Sequence, residues 1–155
     1  MTVRLRPMSD DEVHDFLALA TAERVEDIVK IGAGTYDSAM AATDAATREL
    51  FPEGTRGTDN VVFTVVDDDR PVGYLWMRPN PDVPVASWSV WWVFVRDAER
   101  RRGIGRQVML LAEDEVKARG GVEMRLNVFA HNPGARALYD QLGYEPTATQ
   151  MRKIL

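Results

Sequence analysis

The chain has 155 residues, 45% of them apolar, no cysteine and a formal charge of −5. That length suits one domain, residues 1–155, built on one sizeable core. The acidic balance argues against general nucleic-acid binding, no apolar run approaches the ~20 residues of a membrane span, and disulfide or thiolate chemistry is excluded.

The opening MTVRLRPMSDDEV lacks the apolar region of a secretory signal, and with the missing cysteines this makes the cytoplasm the expected compartment. TVRLRPM predicts a first strand, Val3 and Leu5 alternating with Arg4 and Arg6. SDDEVHDFLALA starts a helix. Ser9 is its N-cap, Glu12 stands at the capping-box spacing, and Val13, Phe16, Leu17 and Ala20 form its apolar face. Helical character is expected to continue, after a break, through ERVEDIVKIG. TYDSAMAATDAATRELF predicts a second helical region ended by Pro52 and Gly54.

The periodicity then changes. NVVFTVVD and PVGYLWMR, joined by the turn DDR, predict a hairpin. ASWSVWWVFV predicts a strand buried on both faces in its later half. A helix follows over roughly 103–119, with Ile104, Val108 and Leu111 inward and Glu113–Lys117 and Glu115–Arg119 as ion pairs. VEMRLNVF is the next strand. HNPGARALYDQLGY is a short helix with Asn132 as N-cap, Pro133 at its first position and Gly143 past its end. Ala135, Leu138 and Leu142 are its buried stripe, with Tyr139 off that line and towards a cleft. YEPTATQMRKIL is expected as a last strand. The order β-α-α-β-β-β-α-β-α-β describes a mixed α/β domain.

Between the long strand and its helix lie five arginines within eleven positions, Arg96, Arg100, Arg101, Arg102 and Arg106, with Gly103 and Gly105 among them. Residues 9–59 hold twelve acids and four bases, a formal −8 that leaves +3 for the rest. A helix N-terminus has unpaired N–H groups and a partial positive charge, so arginines there call for an anion. Strand, Gly-containing turn and helix is the arrangement that presents such groups to a phosphate. The absence of a Cβ at Gly103 and Gly105 permits close approach, and Arg100, Arg102 and Arg106 would add charge-assisted bonds. The anion is most naturally a pyrophosphate. The Gly-Lys-Ser/Thr of a P-loop is missing. So is a dinucleotide fingerprint, because Val108 stands where the third glycine belongs and Asn127, Val128 and Phe129 where the acid belongs.

RRRGIG, Arg100 to Gly105, fits the Q/R-x-x-G-x-G/A motif of the GNAT acetyltransferase superfamily, and NPGARALYDQLGYE, 132–145, resembles its second signature. The ending TQMRKIL is also similar to many members. The resemblance implies a mostly antiparallel mixed central sheet with helices on both faces. Two parallel strands, 88–95 and 122–129, would splay to hold acyl-CoA. It implies transfer of an acetyl group from acetyl-CoA to an amine. Backbone from Arg101 through Arg102, Gly103, Ile104 and Gly105 to Arg106 would hold the pyrophosphate. Val93, Phe94 and Val95 would pair with the pantetheine arm, one N–H polarising the thioester carbonyl. Asn132 would bond to the pantetheine side, and Tyr139 would protonate the departing thiolate. No metal is implied.

Many members carry an acid on the strand before this loop. Here Trp91, Trp92 and Val93 occupy the place, and none takes a proton. Asp37, Glu49, Glu53 or His131 would serve as base, or the amine would lose its proton through water. His14 is read as a surface residue. Trp88, Trp91 and Trp92 are core residues or a wall of the acceptor site. The acidic first helices suggest a cationic amine acceptor, and the protein is expected as a monomer or homodimer. A non-catalytic acyl-CoA-binding module is the rival reading.

Overall fold

The computed structural model describes residues 1–57 and 59–155. Strand β1 (Val3–Pro7) leads into helices α1 (Asp10–Lys30) and α2 (Tyr36–Leu50). Strands β2 (Val61–Asp67), β3 (Arg70–Asn80) and β4 (Ser87–Val95) follow. Helix α3 (Ile104–Ala118), strand β5 (Glu123–Leu126) and helix α4 (Pro133–Gln141) complete the elements. The sheet runs β1-β2-β3-β4-β5. Its first three pairings are antiparallel, and β4 pairs with β5 in parallel through the α3 crossover. No described helix is long and apolar enough to cross a membrane.

Strand alternation splits the core in two. Phe63, Val65, Leu75, Met77 and Val90 face α3, meeting Ile104, Val108, Met109, Ala112 and Val116. Val62, Tyr74 and Trp76 face the other way and pack with Val13, Phe16 and Phe51. The first core is largely aliphatic and the second aromatic. Phe16 lies edge-on to Phe51, Tyr74 and Trp76 at centroid distances of 5.8 to 6.0 Å.

Several expectations hold and several need correction. The capping box of Ser9 and Glu12 is formed. Helix α1 has no break, since neither Gly nor Pro interrupts Asp10–Lys30. Asn132 Oδ1 accepts the N–H of Ala135 at 3.1 Å, and Gly143 takes φ 87° past the end of α4. Arg119 pairs with Glu115 at 3.4 Å, but Lys117 pairs with Asp114 at 3.5 Å rather than Glu113. Glu113 instead lines a cavity of about 500 Å³ on the outer side of β5. Tyr139 is the buried residue of α4, 7% exposed, because it lies four positions after Ala135 and shares the inward face.

The expected final strand does not form. Residues 145–155 are exposed and unpaired with the sheet. Pro146 has no N–H to donate, and Thr147 to Gln150 offer little apolar area to bury. Arg152 donates instead to Gly32 O at 2.9 Å, at the end of α1.

The strand read as 122–129 is also shorter, Glu123–Leu126. It pairs only with Ser87–Val90, and from Trp91 onward β4 runs without a β5 partner. Consequently the later half of β4, expected to be buried on both faces, is half exposed.

Candidate active site

The parting of β4 from β5 starts at an irregularity in β4. Trp76 pairs with Trp92 and Met77 with Val90, so Trp91 is an extra residue opposite β3. Such a bulge bends its strand and frees backbone groups from the ladder. Trp91 and Trp92 both reach the aromatic side of the sheet. Trp91 lies 5.1 Å from Trp76, and Trp92 lies 5.5 Å from Phe16. Val93 and Val95 turn to the α3 side with Leu126 and Val128, all partly buried. The result is a cleft between two parallel backbones with apolar walls. Gly73 secures the far side of β4, where a Cβ would stand 2.0 Å from Phe94 O, so only glycine fits.

The cleft leads to the start of α3. After a short 3₁₀ turn at Asp97–Glu99, Arg101 takes φ 62° and Gly103 takes φ 78°. Among the described residues, the N–H groups of Arg101, Arg102, Gly103, Ile104, Gly105 and Arg106 find no acceptor. The first bond of the helix is Gln107 N–H to Gly103 O at 3.2 Å. No side chain caps this terminus, and its first turn contains no acid. Among the described residues and apart from its own neighbouring backbone, nothing lies within 4 Å of where a Cβ on Gly103 would stand, and one on Gly105 would meet only Leu138, at 3.5 Å. Unpaired N–H groups, a helix dipole and open space make a receptor for an anion.

The arginines divide into two groups. Arg102 is tied to Glu99 and, at 3.0 Å, to Asp67. Arg100 bonds to Val95 O and to Asp97, both at 2.9 Å. These two side chains therefore brace the loop, contrary to the expectation that they point at the anion. For Arg102 the cause is Asp67, which is fully buried and needs a countercharge. Arg101 and Arg106 make no ion pair among the described residues and remain exposed at the N-terminus of α3.

Tyr139 lies in the α3-side core, edge-on to Tyr144 at 5.7 Å. Burial raises its pKa and keeps the phenol protonated. Asn132 uses its side-chain oxygen as the N-cap of α4, which leaves its amide N–H groups available. Trp88 belongs to the α3-side core, with Arg119 above its ring at 5.7 Å. Trp91 is 51% exposed, with Arg78 over it at 5.4 Å.

Of the acids considered as bases, Asp37, Glu49 and Glu53 are exposed and lie on or just after α2. His131 reaches α1, its Nε2 lying 2.8 Å from Asp27 Oδ1 and its ring stacked on Phe129. Sequence reasoning missed Glu23. This α1 carboxylate accepts a 2.6 Å hydrogen bond from Trp92 Nε1 and is half-buried. Its pKa is raised, first by burial, against the lowering effects of Trp92 and Arg100. One of twelve acids in its segment, it carries no sequence signal. Only the helix rotation that buries Phe16 and Val25 turns it to the sheet.

Comparison with known proteins accords with this geometry. Residues 27–144 match the model of the acetyltransferase (GNAT) family. Over their whole lengths the chain and the uncharacterized N-acetyltransferase YycN of Bacillus subtilis (strain 168) are 27% identical. A second B. subtilis protein, the uncharacterized N-acetyltransferase YdgE, is 24% identical over all of this chain and 99% of its own. The crystal structure of YycN superposes with a TM-score of 0.92 at 26% identity, covering 99% of each chain. The cleft between β4 and β5 and the open N-terminus of α3 thus belong to a chain of the acetyltransferase (GNAT) family, an enzyme of acetyl transfer in a family that generally uses acetyl-CoA.

Proposed function

We propose that the protein transfers an acetyl group from acetyl-CoA to a primary amine by direct attack within one ternary complex. The observation that carries this reading is the run of free N–H groups from Arg101 to Arg106 at the mouth of the cleft. That run suits a pyrophosphate, with Arg101 and Arg106 adding charge. The backbone of Val93 to Val95, without a β5 partner, suits the amide groups of the pantetheine arm. One N–H there would stabilise the oxyanion that develops on the thioester carbonyl. Acetyl-CoA supplies the activated acyl group. The amine nitrogen bonds to the carbonyl carbon and gives its surplus proton to a base or water, the C–S bond breaks, and the Tyr139 hydroxyl protonates the departing sulfur and is reprotonated from solvent. The amide of Asn132 would orient the pantetheine side.

The acceptor side is the aromatic face below α1 and α2. Its acidic balance and the exposed ring of Trp91 favour a cationic amine, the carboxylates by charge and the indole by cation–π contact. In an amine panel, polycationic acceptors should turn over faster than neutral ones.

Two measurements test the reading. Acetyl-CoA and CoA, but not ATP or NAD, should raise the melting temperature by several degrees, since a ligand at about 100 Kd adds roughly 2.7 kcal/mol. Tyr139→Phe should lower kcat roughly 10²-fold with acetyl-CoA affinity unchanged. Absence of any CoA response would overturn the site, and an unaltered chemical step would overturn the role of Tyr139.

A further inference from the structure

We propose that Glu23, held against β4 by Trp92 Nε1, is the catalytic base that takes the proton of the acceptor amine. The proposal rests on the acetyl-transfer reading above and supplies the group that β4 itself lacks.

Trp91, Trp92 and Val93 have no proton-accepting side chain. The bulge at Trp91 turns both indoles to the α1 side, and Trp92 is half-buried with its N–H directed into α1. The Glu23 carboxylate meets that N–H at 2.6 Å. The acid is therefore delivered to this stretch of β4 from the facing helix instead of from the strand. Stacking of Trp92 on Phe94 at 5.2 Å fixes the indole and, through it, the carboxylate.

A carboxylate has about four acceptor positions. Glu23 uses one, and among the described residues it has no ion-pair partner. A half-buried, unpaired acid is costly to keep. Its surroundings are not arranged to neutralise it. Arg100, in the loop after β4, exerts an attractive field but bonds to Asp97 and Val95 O. Asp27 and Glu26 on α1 repel it. With burial these raise its proton affinity, the adjustment that suits a base working near neutrality. Asp27, one turn along α1, holds His131 at 2.8 Å at the exposed rim. That pair spans from α1 to the loop after β5, and its imidazole is already engaged by Asp27.

The chemistry balances. The C–N bond forms as the amine attacks, its surplus proton passes to Glu23, the C–S bond breaks, and sulfur takes the Tyr139 proton. Glu23 then releases its proton to solvent and the Tyr139 phenolate takes one up from solvent, so the proton count closes.

The experiment uses the intact enzyme and CoA release with the amine that wild type turns over fastest. Glu23→Gln keeps an oxygen to accept the Trp92 N–H, so packing is retained while proton uptake is lost. It should lower kcat/KM by roughly 10²–10⁴-fold. It should remove the acidic limb of the pH profile and leave the acetyl-CoA thermal shift intact. His131→Gln should keep that limb.

A stability readout separates a base from a packing residue. The raised folded pKa means Glu23 destabilises the fold as pH rises past its ordinary 4.5. Glu23→Gln should therefore melt above wild type at pH 8 and not at pH 4. Activity of Glu23→Gln within threefold of wild type, an acidic limb that follows His131 instead, or a wild type more stable at pH 8 would overturn the proposal. Turnover that ignores Glu23 removes this assignment alone. A wild type that binds acetyl-CoA yet acetylates no amine removes the acetyl-transfer reading and this assignment with it.

Discussion

Helices α1 and α3 face the same electrostatics at their N-termini and end in opposite ways. At α1, Ser9 and Glu12 close a capping box, and Asp10, Asp11 and Glu12 fill the first turn. At α3, Gly103 makes no side-chain cap, the first turn holds no acid, and exposed arginines surround it. A helix N-terminus carries roughly half a positive charge. Helix α1 cancels that charge internally, whereas α3 leaves it uncancelled. Each cap is commonly worth about 1 kcal/mol, so α3 forgoes stability within reach of a single substitution. Stability withheld at one position while taken at an equivalent one is the mark of a binding site.

Making α3 resemble α1 is the strongest way to break the contrast. Arg106→Glu puts an acid in the first turn of α3. Acetyl-CoA affinity should fall roughly 10- to 100-fold, the value of a charge-assisted hydrogen bond. The ligand-free protein should gain about 0.3–1 kcal/mol from the dipole. Calorimetric titration and thermal melts of the same variant would show the two effects with opposite sign. Gly105→Ala comes next. Its Cβ makes ordinary contact with Leu138 in the free protein, and the helix gains about 0.5–1 kcal/mol. The same methyl occupies space needed for the anion, so affinity should drop about tenfold, or ~1.4 kcal/mol.

The smallest effect lies at α1. The Arg6 hydrogen bond, aided by Ser9, lowers the Glu12 pKa from 4.5 to about 2. A depressed folded-state pKa stabilises above 4.5, and the contribution fades as pH falls towards 2. Glu12→Gln should cost about 1 kcal/mol at pH 7, discounted for solvent screening of this partly exposed pair. At pH 2 most of that difference should be gone, and acetyl-CoA affinity should be unchanged. Denaturant titrations at the two pH values check it.

Much of this was legible from local chemistry. The capping residues Ser9 and Asn132, the hairpin at Asp67–Arg70 and the glycines at 103 and 105 depend on neighbours within a few residues. Periodicity or backbone sterics reveal such features in the chain. The pairing of Arg102 with Asp67 was not legible, because 35 residues separate them and nothing in sequence marks Asp67 as buried. The burial of Tyr139 was only partly legible, because the Ala135–Leu138–Leu142 line does not include it, yet it packs on the same α3 side as Val93, Val95, Leu126 and Val128. The last strand failed because a β-compatible segment still needs an edge that it pairs with and buries.

The sequence by itself determined the element order through Leu142, the hairpin of β2 and β3 and an uncapped, arginine-rich start to α3. Each follows from spacing along one element. Tertiary structure alone decided where β4 leaves β5, which arginines are spent bracing the loop, and which of twelve acids meets Trp92 on β4. Those outcomes depend on register, burial and the rotation of one helix over another. The bulge at Trp91, the packing of Phe16 and the burial of Asp67 set them, and none is written in any local pattern.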